Sequence, residues 1–557
     1  MNVAEAIAHA LVAEGVTLAS GLAGTHIGRL LDAIAHRDEI SLVYARQERV
    51  ALDIADGFAR ASGKPGVVFT DSGPAIGNLM GGLVNSWGDS TPVLIFAGHT
   101  DVALTSFRDT KQIPFLEVFG PVSKWAAIVQ HPGQTAEILR RAFMQLCSGR
   151  PGPVVIGVPN DISRMEVDAL DYRAVSTQPR LRSGADPAGI AAAVEMIAKA
   201  KRPYLYAGAG VLFSGASAEL VRLAELLTLP TATTLNGKSA FPENHPLSLG
   251  LGGFVRGRYH TLPAAEIAGK ADVIVAVGCG FKYEATRKRP HDGVKLIQID
   301  VEPGEINRSQ LADVALLGDA RLVLNQLVDH AKAHLSAERL KAVQARQDEI
   351  DALKRRWSEI SAPLLESTDM PINPFRVTKE LCALIDPKRT IMLHDAGTVR
   401  GTICYHYMAT EPRGFLGFGA ASSMGWSLGA ALGAKKAHPD KLVVALIGEE
   451  AFQETAMDLE TSVRNEAPVM IIVNNNRKQV GASSRNDRRL DYARFHSGLD
   501  IRSFAESLGA HAVRIADPDA LSAGLAQAIA RVEAGRTTVV EIVTTRMNPV
   551  LDKFWAS

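Results

Sequence analysis

Two clusters of polar residues in the C-terminal third of the chain follow short apolar runs. A Gly-Glu-Glu triplet at 448–450 follows the apolar run 442–447, and three asparagines at 474–476 follow the run 469–473. Apolar runs of this length that stop at glycine or asparagine are typical of buried strands. Ligands bind at the carboxyl ends of the strands in an open parallel sheet. The acids and amides are therefore predicted to meet at one binding edge, and the alternative is a plain unit with polar strand ends.

The elements that must position these groups follow from the intervening sequence. Residues 451–465 carry apolar side chains at roughly helical spacing, at Phe452, Met457, Leu459 and Val463. A helix that opens at 448–450 points its first backbone amides and the positive end of its dipole at the same edge, which suits a phosphate group. The pattern predicts a strand–helix–strand unit with an anion site at its polar end.

Composition excludes several classes of partner. The chain has 557 residues, is 46% hydrophobic and 22% charged, and carries a formal net charge of zero. A balanced charge argues against nucleic acid or an anionic membrane as the main partner. The segment 1–15 has no basic start and contains two glutamates, unlike a signal peptide, and no apolar run approaches membrane-spanning length. The four cysteines show no metal-ligand spacing, so we expect a cytoplasmic protein in a reducing compartment.

The chain divides into three segments of similar character. Residues 1–165, 187–332 and 373–557 each alternate helical patterns with short apolar strands. This alternation predicts an α/β fold with three domains, each built on a parallel sheet flanked by helices. Residues 333–372 are charged and helical, and they are predicted to connect the second domain to the third.

The segment 448–476 resembles the cofactor motif of thiamine diphosphate enzymes, in which one strand ends in Gly-Asp-Gly and the next ends in Asn-Asn. The resemblance implies Mg2+ ligands at Glu449, Asn476 and the carbonyl oxygen of Lys478, because hard oxygen ligands suit this ion. It implies cofactor-binding residues at Gly448, Glu450, Ala451 and Asn476. The chain departs from the motif twice: Glu449 is one methylene longer than the usual Asp, and Glu450 stands in place of a Gly.

An N-terminal segment strengthens the resemblance. Residues 43–60 (VYARQERVALDIADGFAR) are similar to the pyrimidine-binding domain of the acetolactate synthase group, in which a strand ends in His-Glu and an ADGYAR helix follows. The resemblance implies that Glu48 is the catalytic carboxylate. Such a Glu bonds N1′ of the aminopyrimidine and favours the imino tautomer, and the cofactor then carries the bond chemistry. The alternative role is a helix N-terminal acid favoured by the dipole.

Two further candidates lie on the substrate side. His26 occupies the position of a substrate-facing His in benzaldehyde lyase, and a histidine can shuttle protons at neutral pH. Gln112 lies near the substrate-side Gln of the family. The alternatives are a helix-capping or pocket-filling role for His26 and a surface-loop role for Gln112.

Two C-terminal loops complete the candidate cofactor site. The loop with Gly397 and Thr398 follows the apolar run TIML, and in the family this loop meets the diphosphate. The glycine-rich segment 417–425 contains Ser423 and Met424 and resembles the family segment whose Met wedges under the cofactor. A methionine in an apolar helix is otherwise ordinary core. Residues 477–489 correspond to a family substrate lid, and the tail 548–557 is a second candidate to close over the site.

The middle segment leaves its ligand open. Residues 233–246 resemble acetolactate synthase-like and 2-hydroxyacyl-CoA lyase proteins, whose middle domain holds FAD, an ADP group or nothing. Arg256, Arg258 and Lys282 are candidates for binding CoA phosphates, although ordinary solvated basic residues are the simpler interpretation. Isolated glycine clusters are weak evidence for a nucleotide, so FAD is allowed but not expected.

The resemblance spans nearly the whole chain and implies a function. It predicts a thiamine diphosphate-dependent carboligase, lyase or decarboxylase of the acetolactate synthase-like group, acting on a 2-oxo acid or a 2-hydroxy ketone. It also implies a homodimer or homotetramer in which Glu48 acts across a subunit interface. Two alternatives stay open: a 2-hydroxyacyl-CoA lyase or oxalyl-CoA decarboxylase type that takes an acyl-CoA, and a non-catalytic relative with a degenerate metal site.

Overall fold

The described strands of the chain form three six-stranded sheets, and every strand pairing within these sheets is parallel. This computed structural model describes residues 1–167, 171–177, 181–253, 259–281, 291–332, 337–476 and 499–545. The predicted α/β class with three parallel sheets is confirmed. The domain boundaries proposed from the sequence stay predictions.

The first and third sheets share one topology. The first has the order β2-β1-β3-β4-β6-β5 and the third has the order β14-β13-β15-β16-β18-β17. The first contains β1 Leu18–Gly21, β2 Ser41–Tyr44, β3 Gly66–Thr70, β4 Val93–His99, β5 Trp125–Ile128 and β6 Val154–Pro159. The third contains β13 Thr390–His394, β14 Phe415–Leu416, β15 Leu442–Gly448, β16 Met470–Asn475, β17 His511–Ile515 and β18 Thr538–Val543. The strand order of each sheet reverses beside its first strand, which is where a parallel sheet opens a ligand crevice.

The middle sheet has a different order, β12-β11-β10-β7-β8-β9. Its strands are β7 Pro203–Ala207, β8 Thr231–Thr233, β9 Ser248–Leu251, β10 Val273–Val277, β11 Lys295–Asp300 and β12 Val314–Leu317. The strand order reverses between β7 and β10, so the loops after these two strands flank the expected crevice.

Helices cover both faces of each sheet. They are α1 Val3–Ala13, α2 Gly28–Ala35, α3 Glu48–Ser62, α4 Pro74–Gly88, α5 Phe115–Phe119, α6 Thr135–Cys147, α7 Asn160–Arg164, α8 Pro187–Lys199, α9 Ala209–Ser214, α10 Ser217–Leu227, α11 Leu262–Gly269, α12 Ala320–Ala331, α13 Ala337–Leu365, α14 Pro374–Leu384, α15 Thr398–His406, α16 Trp426–Ala437, α17 Glu449–Thr455, α18 Leu459–Arg464, α19 Ile501–Ser507 and α20 Leu521–Glu533. Each of these helices in the described ranges is too short or too polar to cross a lipid bilayer.

The two faces of the first sheet have separate hydrophobic cores. Side chains of α1, α2 and α6 form one core, and side chains of α3 and α4 form the other. The third sheet is covered in the same way, by α14, α15 and α20 on one face and by α16, α17 and α19 on the other. Because α3 also packs on α16, the first and third sheets face each other through these two helices.

The helix predicted over 451–465 is broken. The chain forms α17, then a 3-10 turn at Ala456–Asp458, then α18. The break places the buried carboxylate of Asp458 against the first domain, where it accepts a hydrogen bond from the backbone amide of Arg46 (2.8 Å). Helical periodicity in the sequence did not reveal this break, because it serves a contact with a distant segment.

Candidate active site

The predicted cofactor loops lie side by side at one edge of the third sheet. β13 pairs with β15, and β15 pairs with β16 so that Gly448 lies opposite Asn474. The loop with Gly397 follows β13, the triplet at 448–450 starts at the last residue of β15, and Asn474 and Asn475 end β16. The carboxyl ends of three adjacent strands therefore carry the predicted cofactor residues.

Two helix N-termini at this edge begin with a glycine. Gly397 precedes α15 with a φ of 77°, and Gly448 precedes α17 in an extended conformation. No described side chain caps either helix, and a Cβ atom added to either glycine would meet no described atom within 4 Å. The space and the first-turn amides at both helices suit an anionic group such as a diphosphate.

Side chains that carry oxygen atoms lie at the same strand ends. Glu449 begins α17 and is buried. Asn474 is also buried, and its Oδ1 accepts no hydrogen bond from the described residues. Asn475 donates from Nδ2 to Glu541 Oε1 (2.8 Å), so its side chain supports β18. Asn476 follows the strand, and its predicted companion Lys478 lies outside the described residues.

Two neighbours of Glu449 shape the helix start. Burial and the nearby Glu454 raise the pKa of Glu450. Ala451 is buried, and its carbonyl oxygen would lie 3.1 Å from a Cβ atom placed on Gly425. The first turn of α17 therefore packs directly on the residue that follows Met424.

Asp395 ties the two C-terminal loops together. Its buried carboxylate accepts hydrogen bonds from the backbone amides of Ala396 (2.8 Å), Gly425 (3.0 Å) and Ser427 (3.0 Å). Met424 is half-buried and packs against the core beside α16. The loop with Gly397 and Thr398 is thus held at a fixed position relative to Ser423 and Met424.

The preceding residue, His394, is buried and uncharged. Burial and the neighbouring Arg400 lower its pKa to about 3. Its ring leaves no room at Gly417, where an added Cβ atom would lie 1.8 Å from His394 Nε2. The glycine at 417 is therefore required by this close approach, and the segment 417–425 starts against the end of β13.

Glu48 lies at the carboxyl edge of the first sheet. It is the first residue of α3, directly after β2, and it is half-buried. Asn78 donates from Nδ2 to Glu48 Oε2 (3.0 Å). The neighbouring Arg46 and Arg49 reach the third domain, where they pair with Glu460 (2.9 Å) and Glu454 (3.0 Å) respectively. Glu48 therefore lies at the seam between the first and third domains.

His26 follows β1 on the adjacent strand and sits beside a carboxylate. Its backbone amide donates to Asp71 Oδ1 (2.9 Å), and its Nδ1 lies 3.1 Å from Ser72 Oγ. Lys111 donates from Nζ to Asp71 Oδ2 (2.6 Å). Burial opposes ionisation of Asp71, but the hydrogen bonds from Lys111 and from the His26 amide prevail and lower its pKa. The imidazole is held near a stable negative charge.

Gln112 has a different environment. Its Nε2 donates to the carbonyl oxygen of Thr105 (2.6 Å), and its Oε1 accepts from the backbone amide of Asp109 (3.1 Å). These bonds close the loop 105–112 on itself. Lys111, its neighbour, is the residue of this loop that reaches Asp71 and the His26 segment.

A cavity of about 900 Å3 opens on the middle sheet. Gly208, Gly210 and Gly278 line it after β7 and β10. A Cβ atom on Gly208 would lie 2.1 Å from the carbonyl oxygen of Gly278, so these loops touch through their backbones. Asp300 ends β11 at the cavity, and burial raises its pKa to about 6. Arg400 of α15 lines the opposite side.

Comparison with protein families identifies all three segments. Residues 1–117 match the thiamine pyrophosphate enzyme N-terminal TPP binding domain, 190–327 match the central domain, and 395–542 match the C-terminal TPP binding domain.

The chain belongs to the thiamine pyrophosphate enzyme family.

Individual relatives cover almost the whole length. The "Probable acetolactate synthase large subunit" of Methanococcus aeolicus is 35% identical over 549 residues, covering 95% of this chain and 90% of that protein. The protein of the same name from Methanocaldococcus jannaschii is 34% identical, with 95% and 90% covered. The "Acetolactate synthase isozyme 3 large subunit" of Escherichia coli is 28% identical, with 100% and 98% covered. The chain is thus an enzyme of the thiamine pyrophosphate family similar to acetolactate synthases.

Sequence reasoning missed several residues that hold the candidate loops in place. Asp395 and Asp71 orient loops through backbone amides, and Lys111 supports Asp71. Each of these residues lies next to a recognised motif. The sequence does not show which backbone amides a single acid after a strand will bind. The predicted lid at 477–489, the tail at 548–557 and the basic residues Arg256, Arg258 and Lys282 lie outside the described residues.

Proposed function

We propose that this thiamine pyrophosphate family member joins or cleaves carbon–carbon bonds of a 2-oxo acid or 2-hydroxy ketone, as an acetolactate synthase-like carboligase. The observation that carries the proposal is the presence of two complementary half-sites. The first sheet presents Glu48, supported by Asn78, and the third presents two glycine-capped helix N-termini with adjacent oxygen donors. Similarity to the archaeal acetolactate synthase large subunits supports the substrate class.

Each half-site has a distinct task in this proposal. Thiamine diphosphate, when bound, would supply the nucleophilic carbon that this chemistry needs. Glu48 binds the aminopyrimidine ring nitrogen and shares a proton with it, while Asn78 keeps the carboxylate oriented. His26 moves a proton to or from the substrate oxygen, a role suited to an imidazole near neutral pH. Gln112 keeps its predicted place on the substrate side by shaping the loop 105–112.

The third domain holds the cofactor. Amides at the starts of α15 and α17, with Gly397, Thr398, Gly448, Glu450 and Ala451, bind the diphosphate. Ser423 and Met424 contact the thiazolium side. Glu449, Asn476 and the carbonyl of Lys478 bind Mg2+, since carboxylate, amide and carbonyl oxygens are the ligands that this hard cation prefers.

A homodimer or homotetramer completes the proposal. α4 presents an exposed face that includes Gly77, Gly81, Val84 and Trp87, and Trp87 is 46% exposed. This apolar face adjoins Asn78, which bonds Glu48. A second copy that covers α4 would bury this face and enclose Glu48, as expected for a site shared by two subunits. We retain a cytoplasmic location, in agreement with four cysteines that form no disulfide bond.

The middle cavity favours a second ligand, against the expectation of a purely structural domain. Its size, its touching glycine loops and Asp300 at the end of β11 suit an adenine nucleotide such as FAD or ADP. Titration of the purified protein with FAD and with ADP, followed by calorimetry, tests this assignment. If neither ligand gives a measurable heat of binding, the cavity has only a structural role.

The main proposal is tested first by cofactor binding. Metal-stripped protein is titrated with thiamine diphosphate in a calorimeter, with and without Mg2+. We expect tight, Mg2+-dependent binding. Equal affinity with and without Mg2+ would mean that backbone amides and basic side chains alone bind the diphosphate. No binding in either condition would favour the non-catalytic relative.

Substrate screening then separates the two catalytic alternatives. Pyruvate and a 2-hydroxyacyl-CoA are offered to the holoenzyme, and products are followed by chromatography. Turnover of pyruvate with no cleavage of the CoA thioester substrate supports the carboligase. Cleavage of the CoA thioester substrate with no turnover of pyruvate would favour the acyl-CoA lyase over the carboligase.

A further inference from the structure

The segment 417–425 contacts the first domain before it reaches Ser423 and Met424. Its C-terminal end is held by Asp395, which accepts the amides of Gly425 and Ser427. Between the ends, residues 421 and 422 are exposed, and Ser422 has a φ of 56° in the left-handed region. A non-glycine residue in this region is uncommon and needs support from its surroundings. The geometry of the segment therefore depends on how both of its ends are anchored.

The N-terminal end is anchored by another domain. Asp89 follows α4 of the first domain and is buried. Its Oδ2 accepts the backbone amide of Gly419 (2.8 Å), and its Oδ1 accepts the amide of Ala420 (3.0 Å). A Cβ atom on Gly88 would lie 2.7 Å from the side chain of Ala420. The end of α4 and this segment therefore fit closely, with one carboxylate bridging two consecutive amides.

Arg60 reinforces this anchor from α3. Its Nη1 donates to the carbonyl oxygen of Gly417 (2.8 Å) and lies 3.4 Å from Asp89 Oδ2. Its guanidinium also lies over the ring of Trp426, 5.1 Å from the centroid. Charge-assisted hydrogen bonds of this kind are stronger than neutral ones. The first domain therefore holds the segment at Gly417 and Gly419, on both sides of Phe418.

The middle domain reaches the same carboxylate. Asn236 donates from Nδ2 to Asp89 Oδ1 (2.8 Å). Asp89, Asn236, Gly419 and Ala420 all line the middle cavity. All three domains therefore meet at Asp89. Ala420, whose amide Asp89 accepts, lies three residues before Ser423.

We propose that Asp89 is a positioning residue for the reaction, which sets the position of Ser423 and Met424 by holding the amides of Gly419 and Ala420. This inference rests on the proposed function, because it assigns the thiazolium side of the site to Ser423 and Met424. Misplacement of a positioning group by about 1 Å can lower a rate by about 100-fold. Asp89 lines the middle cavity, but in this proposal it contacts neither thiamine diphosphate nor the substrate, and it acts on the reaction through the segment.

The test compares Asp89→Asn with a matched control. The variant keeps the shape of the side chain but replaces one amide acceptor with a donor and removes the charge. Asp272→Asn is the control, because Asp272 also accepts two consecutive amides, those of Lys201 (2.6 Å) and Arg202 (2.9 Å), far from this segment. Hydrogen exchange with residue-level fragmentation is measured on cofactor-free protein.

We expect the amides of Gly419 and Ala420 to exchange about tenfold faster or more in Asp89→Asn. In the holoenzyme we expect kcat to fall about 10- to 100-fold with KM for the substrate nearly unchanged. Asp272→Asn should match the wild type at Gly419 and Ala420 and in kcat. Unchanged exchange at both amides in Asp89→Asn, or a fall in kcat of the same size in the control, would overturn the proposal.

The wild-type protein offers an independent measurement. Gly419 and Ala420 should exchange more slowly than the neighbouring exposed amides of Ala421 and Ser422. Equal rates at all four positions would overturn the proposal without any variant. Because exchange is measured without cofactor, this result stands apart from the proposed function, which is tested by cofactor binding and turnover.

Discussion

Gly57 lies so close to Ala430 that a Cβ atom on Gly57 would fall 2.3 Å from the carbonyl oxygen of Ala430. The contact joins α3 of the first domain to α16 of the third. In a second close approach, a Cβ atom added to Gly433 would lie 2.0 Å from the carbonyl oxygen of Ile54. Because Glu48 begins α3, this contact between helix backbones fixes the helix that carries Glu48 against the third domain of the same chain.

Gly57→Ala should separate these helices and destabilise the protein. Overpacking a tight contact costs about 1–3 kcal/mol, and here the clash is with backbone that cannot rotate away. Thermal unfolding followed by circular dichroism measures the change. Gly269→Ala is the control, since a Cβ there would meet no described atom within 4 Å. Equal melting temperatures for the two variants would show that the helices shift apart at little cost.

Glu48→Gln should leave the fold intact and lower kcat by roughly 10²–10⁴-fold, because the amide cannot share a proton with the cofactor ring. Steady-state kinetics at saturating cofactor measures the loss. Glu39→Gln, at an exposed position outside the site, should keep wild-type activity. Wild-type turnover by Glu48→Gln would refute the assignment of the carboxylate.

Glu449→Asp should strengthen Mg2+-dependent binding of thiamine diphosphate. The shorter side chain matches the usual ligand of the motif, and Mg2+ tolerates little deviation from octahedral geometry. Calorimetric titration at several Mg2+ concentrations measures the effect. The exposed Glu39→Gln is the control, because it lies outside the site and should keep the Mg2+ dependence of the wild type. Weaker binding by Glu449→Asp would show that the surrounding loop has adapted to Glu.

Asp53→Asn should stabilise the protein, increasingly so as the pH rises. Asp53 is buried between α3 and α16, and neither carboxylate oxygen accepts a hydrogen bond within the described structure. Burial raises the pKa of Asp53 well above its usual range, although Arg49 on the same helix opposes the change. The other charged groups facing it are Asp56 and Arg60 of α3 and Asp395 of the third domain.

The sign of this effect follows from proton linkage. A carboxyl whose pKa is higher in the folded state binds its proton more tightly there, so stability falls as pH rises from the unfolded pKa of about 3.9 toward the folded value. Asparagine cannot ionise and removes this fall. We expect a gain on the order of 1–3 kcal/mol at pH 8 and a smaller gain at pH 5, measured by urea unfolding. The exposed Asp38→Asn should show no such trend, and a gain independent of pH in Asp53→Asn would contradict the explanation.

Much of the local structure was predictable because it depends on nearby residues. Apolar runs predicted β15 and β16 to within two residues, since a strand buried on both faces needs a continuous apolar segment. The start of α3 at Glu48 and its end before Gly63, whose φ is 76°, follow from the same short-range rules. The resemblance of the motifs at 43–60 and 448–476 then led to the family.

The sequence by itself thus determined the three parallel α/β units, the family and the identity of the candidate cofactor loops. Only the tertiary structure decided that Asp395 and Asp89 hold the two ends of the segment with Ser423 and Met424, that Lys111 rather than Gln112 reaches Asp71, and that Asp53 is buried without a hydrogen bond. The reason is physical. Periodicity and turn chemistry act over a few residues, whereas these carboxylates meet amides and cations up to 331 positions away in the chain, and only packing of the domains brings them together.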